Sequence, residues 1–178
     1  VNNKKLILFT GSSSIRMWKD LKTDFPEYNV LNRGFGGSDM TDLLYYAKPL
    51  ISNYKPVKVF IYEGDNDVNA GKTPEQILAE ADKLLTLLRA ELPGRVKIIF
   101  ISAKPSVARW HLKDKYEAFN RQLQQWTKTK KNVLFADVWT PMLDENGEVR
   151  KDLFIGDNLH MNRAGYDIWK IVIDRFLK

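Results

Sequence analysis

Leu6-Ile7-Leu8-Phe9-Thr10-Gly11-Ser12-Ser13-Ser14 is the stretch from which the fold can be read. An apolar run of strand length ends at a glycine, three hydroxyl side chains follow, and an apolar segment resumes at Ile15. Continuous apolar character marks a strand covered on both faces, as in a parallel sheet. The chain then turns sharply at Gly11 and a helix begins. A serine at such a corner is lifted off the end of the sheet beside helix-start N–H groups. Nucleophile and oxyanion donor would arrive together there. Plain capping is the competing reading, because serine is a preferred N-cap residue.

Further strand-like runs lie at Tyr28–Leu31, Val57–Tyr62, Val96–Ser102 and Val133–Val138, separated by helical patterns. The clearest helix spans Pro74–Glu91, with Thr73 as N-cap, Pro74 at the first position and Gln76 completing a capping box. Its apolar stripe is Ile77, Ala81, Leu84, Leu85 and Leu88, and Pro93-Gly94 stops it. A second helix, Lys113–Lys128, carries Tyr116, Phe119, Leu123 and Trp126 at helical spacing, read as a core stripe. The last begins at Arg163 behind Asn162 and directs Ile168, Ile171, Val172 and Phe176 inward. A shorter one covers Asp39–Ala47 and is ended by Pro49. Val138–Asn158 is the one long irregular connection, with a turn at Asn146-Gly147. This alternation implies an α/β domain with a mainly parallel five-stranded sheet. In such sheets, sites gather at the carboxyl ends of the strands.

At 178 residues the chain is expected to form a single domain over 1–178, large enough to bury a core unaided. Its lack of cysteine excludes a disulfide framework, a Cys-ligated metal and a Cys nucleophile. The net charge is +6, but the lysines are scattered, and the short clusters at Lys4-Lys5 and Lys128–Lys131 read as solvated faces. No nucleic-acid partner is expected. No apolar run approaches the ~20 residues that cross a bilayer. Val1 stands where a Met would start a chain, so a removed leader and export, or a trimmed terminus, are the expectations there.

Four loops should meet at the carboxyl ends of the strands. The first carries Ser12, Ser13 and Ser14. The second, Asn32-Arg33-Gly34-Phe35-Gly36-Gly37-Ser38, has three glycines in four positions, which lets backbone N–H groups approach a ligand. The third, Glu63-Gly64-Asp65-Asn66-Asp67, offers an asparagine NH2 as a donor, with local turn bonding as its alternative. The fourth is Asp157-Asn158-Leu159-His160. Of the two histidines, His111 sits beside Trp110 with no carboxylate before Asp114 and reads as structural or exposed. His160 follows Asp157 by three positions, so the carboxylate can bond Nδ1 and leave Nε2 facing a serine.

With these four blocks in order, the sequence resembles the SGNH hydrolases, the GDSL esterase/lipase superfamily, over nearly its whole length. Phe9-Thr10-Gly11-Ser12-Ser13 is similar to the nucleophile block, usually Gly-Asp-Ser, with Ser12 in place of the Asp. The resemblance makes Ser13 the nucleophile and Asp157 and His160 its triad partners. It assigns the oxyanion hole to the N–H groups of Ser13 and Gly37 and to the side chain of Asn66, through Gly64-Asp65-Asn66-Asp67. It also implies a flavodoxin-like three-layer α/β/α sandwich and hydrolysis of a short-chain, acetyl-type ester through an acyl-enzyme. No cofactor or metal is implied, and the partner is a small-molecule or glycan acyl ester. The segment Lys104–Trp110 follows a strand, which makes Arg109 a candidate for an anionic group and Trp110 for a sugar ring, against packing roles for both. Two rival readings are a flavodoxin-like protein holding FMN or phosphate at the serine corner and a non-catalytic glycan-binding module.

Overall fold

The computed structural model describes residues 5–178; of the Lys4-Lys5 pair, Lys4 lies outside them. Because the first apolar run is buried on both faces, its strand lies inside the sheet. Strands β1 (Ile7–Gly11), β2 (Val30–Gly34), β3 (Lys58–Tyr62), β4 (Lys97–Ile101) and β5 (Val133–Ala136) pair in parallel, in the order β2-β1-β3-β4-β5. Side chains alternate along each strand, so Phe9, Phe60 and Ile99 face one layer while Leu8, Val59 and Ile98 face the other. Phe9 stacks on Phe60 with ring centroids 4.5 Å apart. Burying such a side chain stabilises the fold by about 1.5–3 kcal/mol.

Helices cover both faces. On the Phe9 face lie α1 (Ser13–Arg16), α2 (Leu21–Asp24) and α7 (Arg163–Asp174), the last docking Trp169 against Trp18 and Tyr62. On the Leu8 face lie α3 (Met40–Leu50), α5 (Pro74–Glu91) and α6 (Lys113–Lys128), while α4 (Asp65–Asn69) follows β3. The result is a flavodoxin-like α/β/α sandwich. Helices α5 and α6 span the residues their apolar periodicity implies. The capping box of α5 is complete, with Gln76 N–H donating to Thr73 Oγ1 at 3.2 Å and Thr73 N–H to Gln76 Oε1 at 2.9 Å.

Four expectations need correction. The strand placed at Tyr28–Leu31 lies instead at Val30–Gly34, taking in Asn32 and Arg33. As an edge strand β2 is only half-buried, so polar side chains are tolerated, and Asn32 Nδ2 donates to the Ile15 carbonyl at 2.6 Å. Pro49 does not end its helix, which runs on to Leu50. It lies exposed in the last turn, where the missing proline N–H costs only one hydrogen bond of a helix about to end. Ile171 is 61% exposed; the buried stripe of α7 is Tyr166, Trp169, Val172 and Ile173, set by the two aromatic rings. The 138–158 connection is partly ordered, with 3-10 turns at Thr140–Met142 and Lys151–Leu153 and an antiparallel bridge between Leu143 and Val149.

The strand ends fix the site's footing. Gly11 has φ +135°, and a Cβ there would lie 2.1 Å from the Tyr62 carbonyl oxygen. Gly11→Ala is expected to cost about 3 kcal/mol or more, because strain and overlap add. Urea unfolding measures it, and a loss under about 1 kcal/mol would contradict the turn's requirement for glycine.

β3 runs directly into Glu63, which is buried and accepts a 2.5 Å bond from Ser38 Oγ at Oε1. Its Oε2 has no partner among the described residues. Burial pushes this carboxyl well above its usual 4.5, a rise the Ser38 bond only partly opposes. A raised folded-state pKa contributes stability that is present below about 4.5 and lost as pH rises through the folded value. Unfolding free energy should therefore decline with rising pH above that point, and Glu63→Gln should flatten the slope. Parallel slopes for the two proteins would contradict a raised Glu63 pKa.

Candidate active site

The serine corner is built by its backbone. Gly11 ends β1, Ser12 N–H donates to the Tyr62 carbonyl at 3.1 Å, and Ile15 and Arg16 N–H groups close the first turn on the Ser12 carbonyl. Ser12 holds the N-cap position in an extended conformation, yet its side chain makes no capping bond. The hydroxyl beyond it reaches across the molecule, with Ser13 Oγ 2.8 Å from His160 Nε2.

His160 is held by its own loop. Asp157 Oδ1 accepts the N–H groups of Leu159 and His160, both at 2.9 Å, and Oδ2 lies 2.5 Å from His160 Nδ1. Asn158, at φ +58°, makes this tight turn, and its carbonyl accepts Ala108 N–H at 3.0 Å from the segment after β4. Partial burial alone would raise the Asp157 pKa, but the bonds from the His160 side chain and the two backbone N–H groups outweigh it and hold the carboxyl at about 2. An ionised carboxylate can only accept, so Nδ1 carries a proton and, in the neutral ring, Nε2 accepts the Ser13 hydroxyl. The loop is also tied to the serine corner through α7, where Tyr166 donates its hydroxyl to the Ser14 carbonyl at 2.7 Å.

The third block folds into α4 rather than a simple loop. Gly64 has φ +124°, and a Cβ there would meet Phe119 at 2.3 Å. Asn66 Nδ2 donates to the Ser38 carbonyl at 2.8 Å, and its Oδ1 accepts Arg109 Nη1 at 3.0 Å. Gly37, at φ +74°, is the residue just before Ser38. It stands exposed at the rim, outside the group of residues lining the cleft.

Beneath Asn66 lies a charged hub whose role the sequence did not reveal. Asp65 is buried and accepts Tyr116 Oη at 2.6 Å and Arg109 Nη1 at 2.7 Å on Oδ1, and Tyr62 Oη at 2.7 Å on Oδ2. The buried Lys104 ammonium adds a longer 3.4 Å contact to Oδ2. Burial opposes ionisation of Asp65, but Lys104, Arg109 and the two tyrosine hydroxyls together hold its pKa at about 2. The sequence signal was a lysine and an arginine in the one segment that follows β4, together with an aspartate beside Asn66.

Ser13, Asn66, Lys104, Arg109 and His160 line a small, shallow cleft. Of the two candidate lining residues, Arg109 is there, but its guanidinium is engaged by Asp65 and Asn66. Trp110 is not. The 3-10 turn Trp110–Leu112 aims its ring onto Trp139, 5.7 Å between centroids, and its Nε1 donates to Glu148 at 2.8 Å. His111 is exposed. A larger recess between Asp144 and Asp152 contains neither histidine nor serine. Among the described residues no cluster of three His, Asp or Glu side chains could hold a metal ion, and no helix is long and apolar enough to cross a membrane.

This architecture has counterparts among solved structures. A chain described as a platelet activating factor from Streptococcus pneumonia superimposes with TM-score 0.87 at 20% identity, covering 97% of this chain and 83% of that one. A GDSL-like lipase from Bacteroides thetaiotaomicron gives 0.82 at 21%, covering 99% and 89%. A mutant of an acetyl-xylooligosaccharide esterase from Geobacillus gives 0.78 at 18%, covering 97% and 93%. No curated protein matches by sequence. Residues 10–168 match the model of the GDSL-like lipase/acylhydrolase family, which leaves the flavin-binding and non-catalytic readings without support. The chain belongs to the GDSL-like lipase/acylhydrolase family and is a carboxylic ester hydrolase.

Proposed function

We propose that the enzyme removes short acyl groups, acetyl foremost, from a small-molecule or glycan ester, through a covalent intermediate on Ser13. The observation that carries the reading is the chain of contacts from Ser13 Oγ to His160 Nε2 at 2.8 Å and from His160 Nδ1 to Asp157 Oδ2 at 2.5 Å. Nucleophile and base come from opposite ends of the chain, so residues 1–178 act as a single domain.

His160 takes the Ser13 proton as Oγ attacks the acyl carbon, and Asp157 holds the ring and balances the imidazolium. The imidazolium then passes its proton to the departing alkoxide, leaving the acyl-serine. Water deprotonated by His160 attacks the acyl-serine, Ser13 recovers its proton, and the free acid departs. The tetrahedral oxyanion is received by the N–H groups of Ser13 and Gly37 and by Asn66. Ser13 is the first residue of α1, so its N–H has no partner within the helix. The Asn66 amide carries two hydrogens; one is engaged by the Ser38 carbonyl and the other is left for the substrate. The small cleft favours a short acyl group, and the acetyl-xylooligosaccharide esterase with the same fold points the same way.

Ser13→Ala is expected to abolish turnover of a short acyl ester such as p-nitrophenyl acetate, while Ser12→Ala and Ser14→Ala keep most of it. Substantial turnover by Ser13→Ala would move the nucleophile elsewhere. Asn66→Ala is expected to lower kcat by roughly 10²–10³, the loss for one oxyanion donor. Asp157→Asn is expected to cost about 10⁴ in kcat, because the ring is then held in the wrong tautomer. Steady-state kinetics on folded protein decides both, and kcat within about twofold of wild type would reject the corresponding role.

A further inference from the structure

We propose that Arg109 is a positioning residue that locks the Asn66 amide with its NH2 toward the oxyanion. This rests on the reading of Asn66 as an oxyanion donor and extends it to a residue that acts through Asn66.

The oxygen and nitrogen of an asparagine amide are nearly the same size, so packing alone does not choose between the two orientations; partners do. Asn66 Oδ1 faces Arg109 Nη1 at 3.0 Å, a group that can only donate. Asn66 Nδ2 faces the Ser38 carbonyl at 2.8 Å, a group that can only accept. A flip would set NH2 against guanidinium and carbonyl against carbonyl, losing both bonds and adding two repulsions. The cationic partner on Oδ1 also draws electron density from the amide, which makes its N–H groups better donors.

Arg109 is fixed in turn. Nη1 carries two hydrogens, and the second goes to Asp65 Oδ1 at 2.7 Å. Its backbone N–H is anchored on Ser106 Oγ at 3.2 Å. Asp65 is held by the Tyr62 and Tyr116 hydroxyls and by Lys104, so the path from β3 and α6 to the amide is rigid. The guanidinium that the sequence offers as a contact for an anionic substrate group is turned onto the enzyme's own oxyanion donor.

A double-mutant cycle on the full chain tests this, with p-nitrophenyl acetate as substrate. Arg109→Ala is expected to lower kcat about 10- to 100-fold with KM within about twofold, since it removes part of what Asn66 supplies. In an Asn66→Ala background the same substitution should change kcat by no more than about twofold. Methylguanidinium added to Arg109→Ala should restore kcat several-fold and do nothing for the double variant. Lys104 and the two tyrosines still hold Asp65 in this variant. If it does not fold, Arg109→Lys enters the same cycle, with a kcat loss confined to the Asn66-containing background again expected. Multiplicative losses in the two backgrounds, or an effect on KM alone, would overturn the positioning role while leaving Asn66 in place. Unchanged kcat in Asn66→Ala itself would instead remove the oxyanion reading, and this one with it.

Discussion

The contact between Ser13 Oγ and His160 Nε2 joins residues 147 positions apart, and almost every long-range feature of the chain serves to make it possible. Neither residue has a local reason to meet the other. The serine is placed by an interior strand that ends at a glycine only because the Tyr62 carbonyl crowds that corner. The histidine is placed by a loop that precedes α7, and α7 docks on the same face of the sheet as α1 through Trp169 and Tyr166. The Tyr166 hydroxyl then closes the gap by donating to the Ser14 carbonyl, 152 residues away. Burial of the aromatic cluster around Trp18 thus supplies the free energy, and one buried hydrogen bond supplies the register. A buried donor left without its acceptor costs about 1–3 kcal/mol, so this bond specifies position more strongly than its net stabilisation suggests.

Two acidic groups within three residues show how environment divides the work. Glu63 and Asp65 are both buried, yet the Glu63 carboxyl is pushed well above the usual carboxylate range while that of Asp65 is held at about 2. The difference is partners. Glu63 receives one hydroxyl, from Ser38, whereas Asp65 receives two tyrosine hydroxyls, a guanidinium and a lysine ammonium. Both converge on Asn66: Glu63 holds the residue whose carbonyl takes the amide nitrogen, and Asp65 holds the arginine that takes the amide oxygen.

The layer order was legible because hydrophobic burial drives it and apolar periodicity records it; α5 matches its stripe residue for residue, and α6 does so except for Trp126, which is only half-buried. Polar residues were harder to place. Asn32 and Arg33 read as loop because strand signals assume apolar faces, and an edge strand escapes that rule. Ile171 read as core because its position fits a stripe, but the wide faces of Tyr166 and Trp169 rotate the buried side of α7 away from it. The short motifs carried Ser13, Asn66, Asp157 and His160, since each sits at a strand end or helix start with its own turn chemistry. Trp110 was left between pocket lining and packing for the converse reason: sequence shows that a ring follows a strand, not which way a 3-10 turn will aim it. Tyr62 and Tyr116 gave no signal of a hub, and Lys104 only its place in the segment after β4, because their meeting at Asp65 depends on β3, β4 and α6 together.

The two halves of the site are stabilised differently, and the chemistry explains the contrast. The proposed oxyanion side rests on buried groups: Asp65 and Lys104 are nearly inaccessible, and the Arg109 side chain is 16% exposed. The proposed base side is open, with the Asp157 side chain 44% exposed and held mainly by bonds within its own loop. Oxyanion stabilisation works by having dipoles in place before charge develops, and any reorganisation of those dipoles would be added to the barrier. A rigid, dehydrated setting suits that task. In the proposed cycle the imidazole instead accepts a proton, releases it to a leaving alcohol and admits water, so partial exposure suits that role. Under the proposed mechanism, rigidity is thus concentrated where charge develops and access is kept where protons move, an arrangement that follows from which loops the sheet buries.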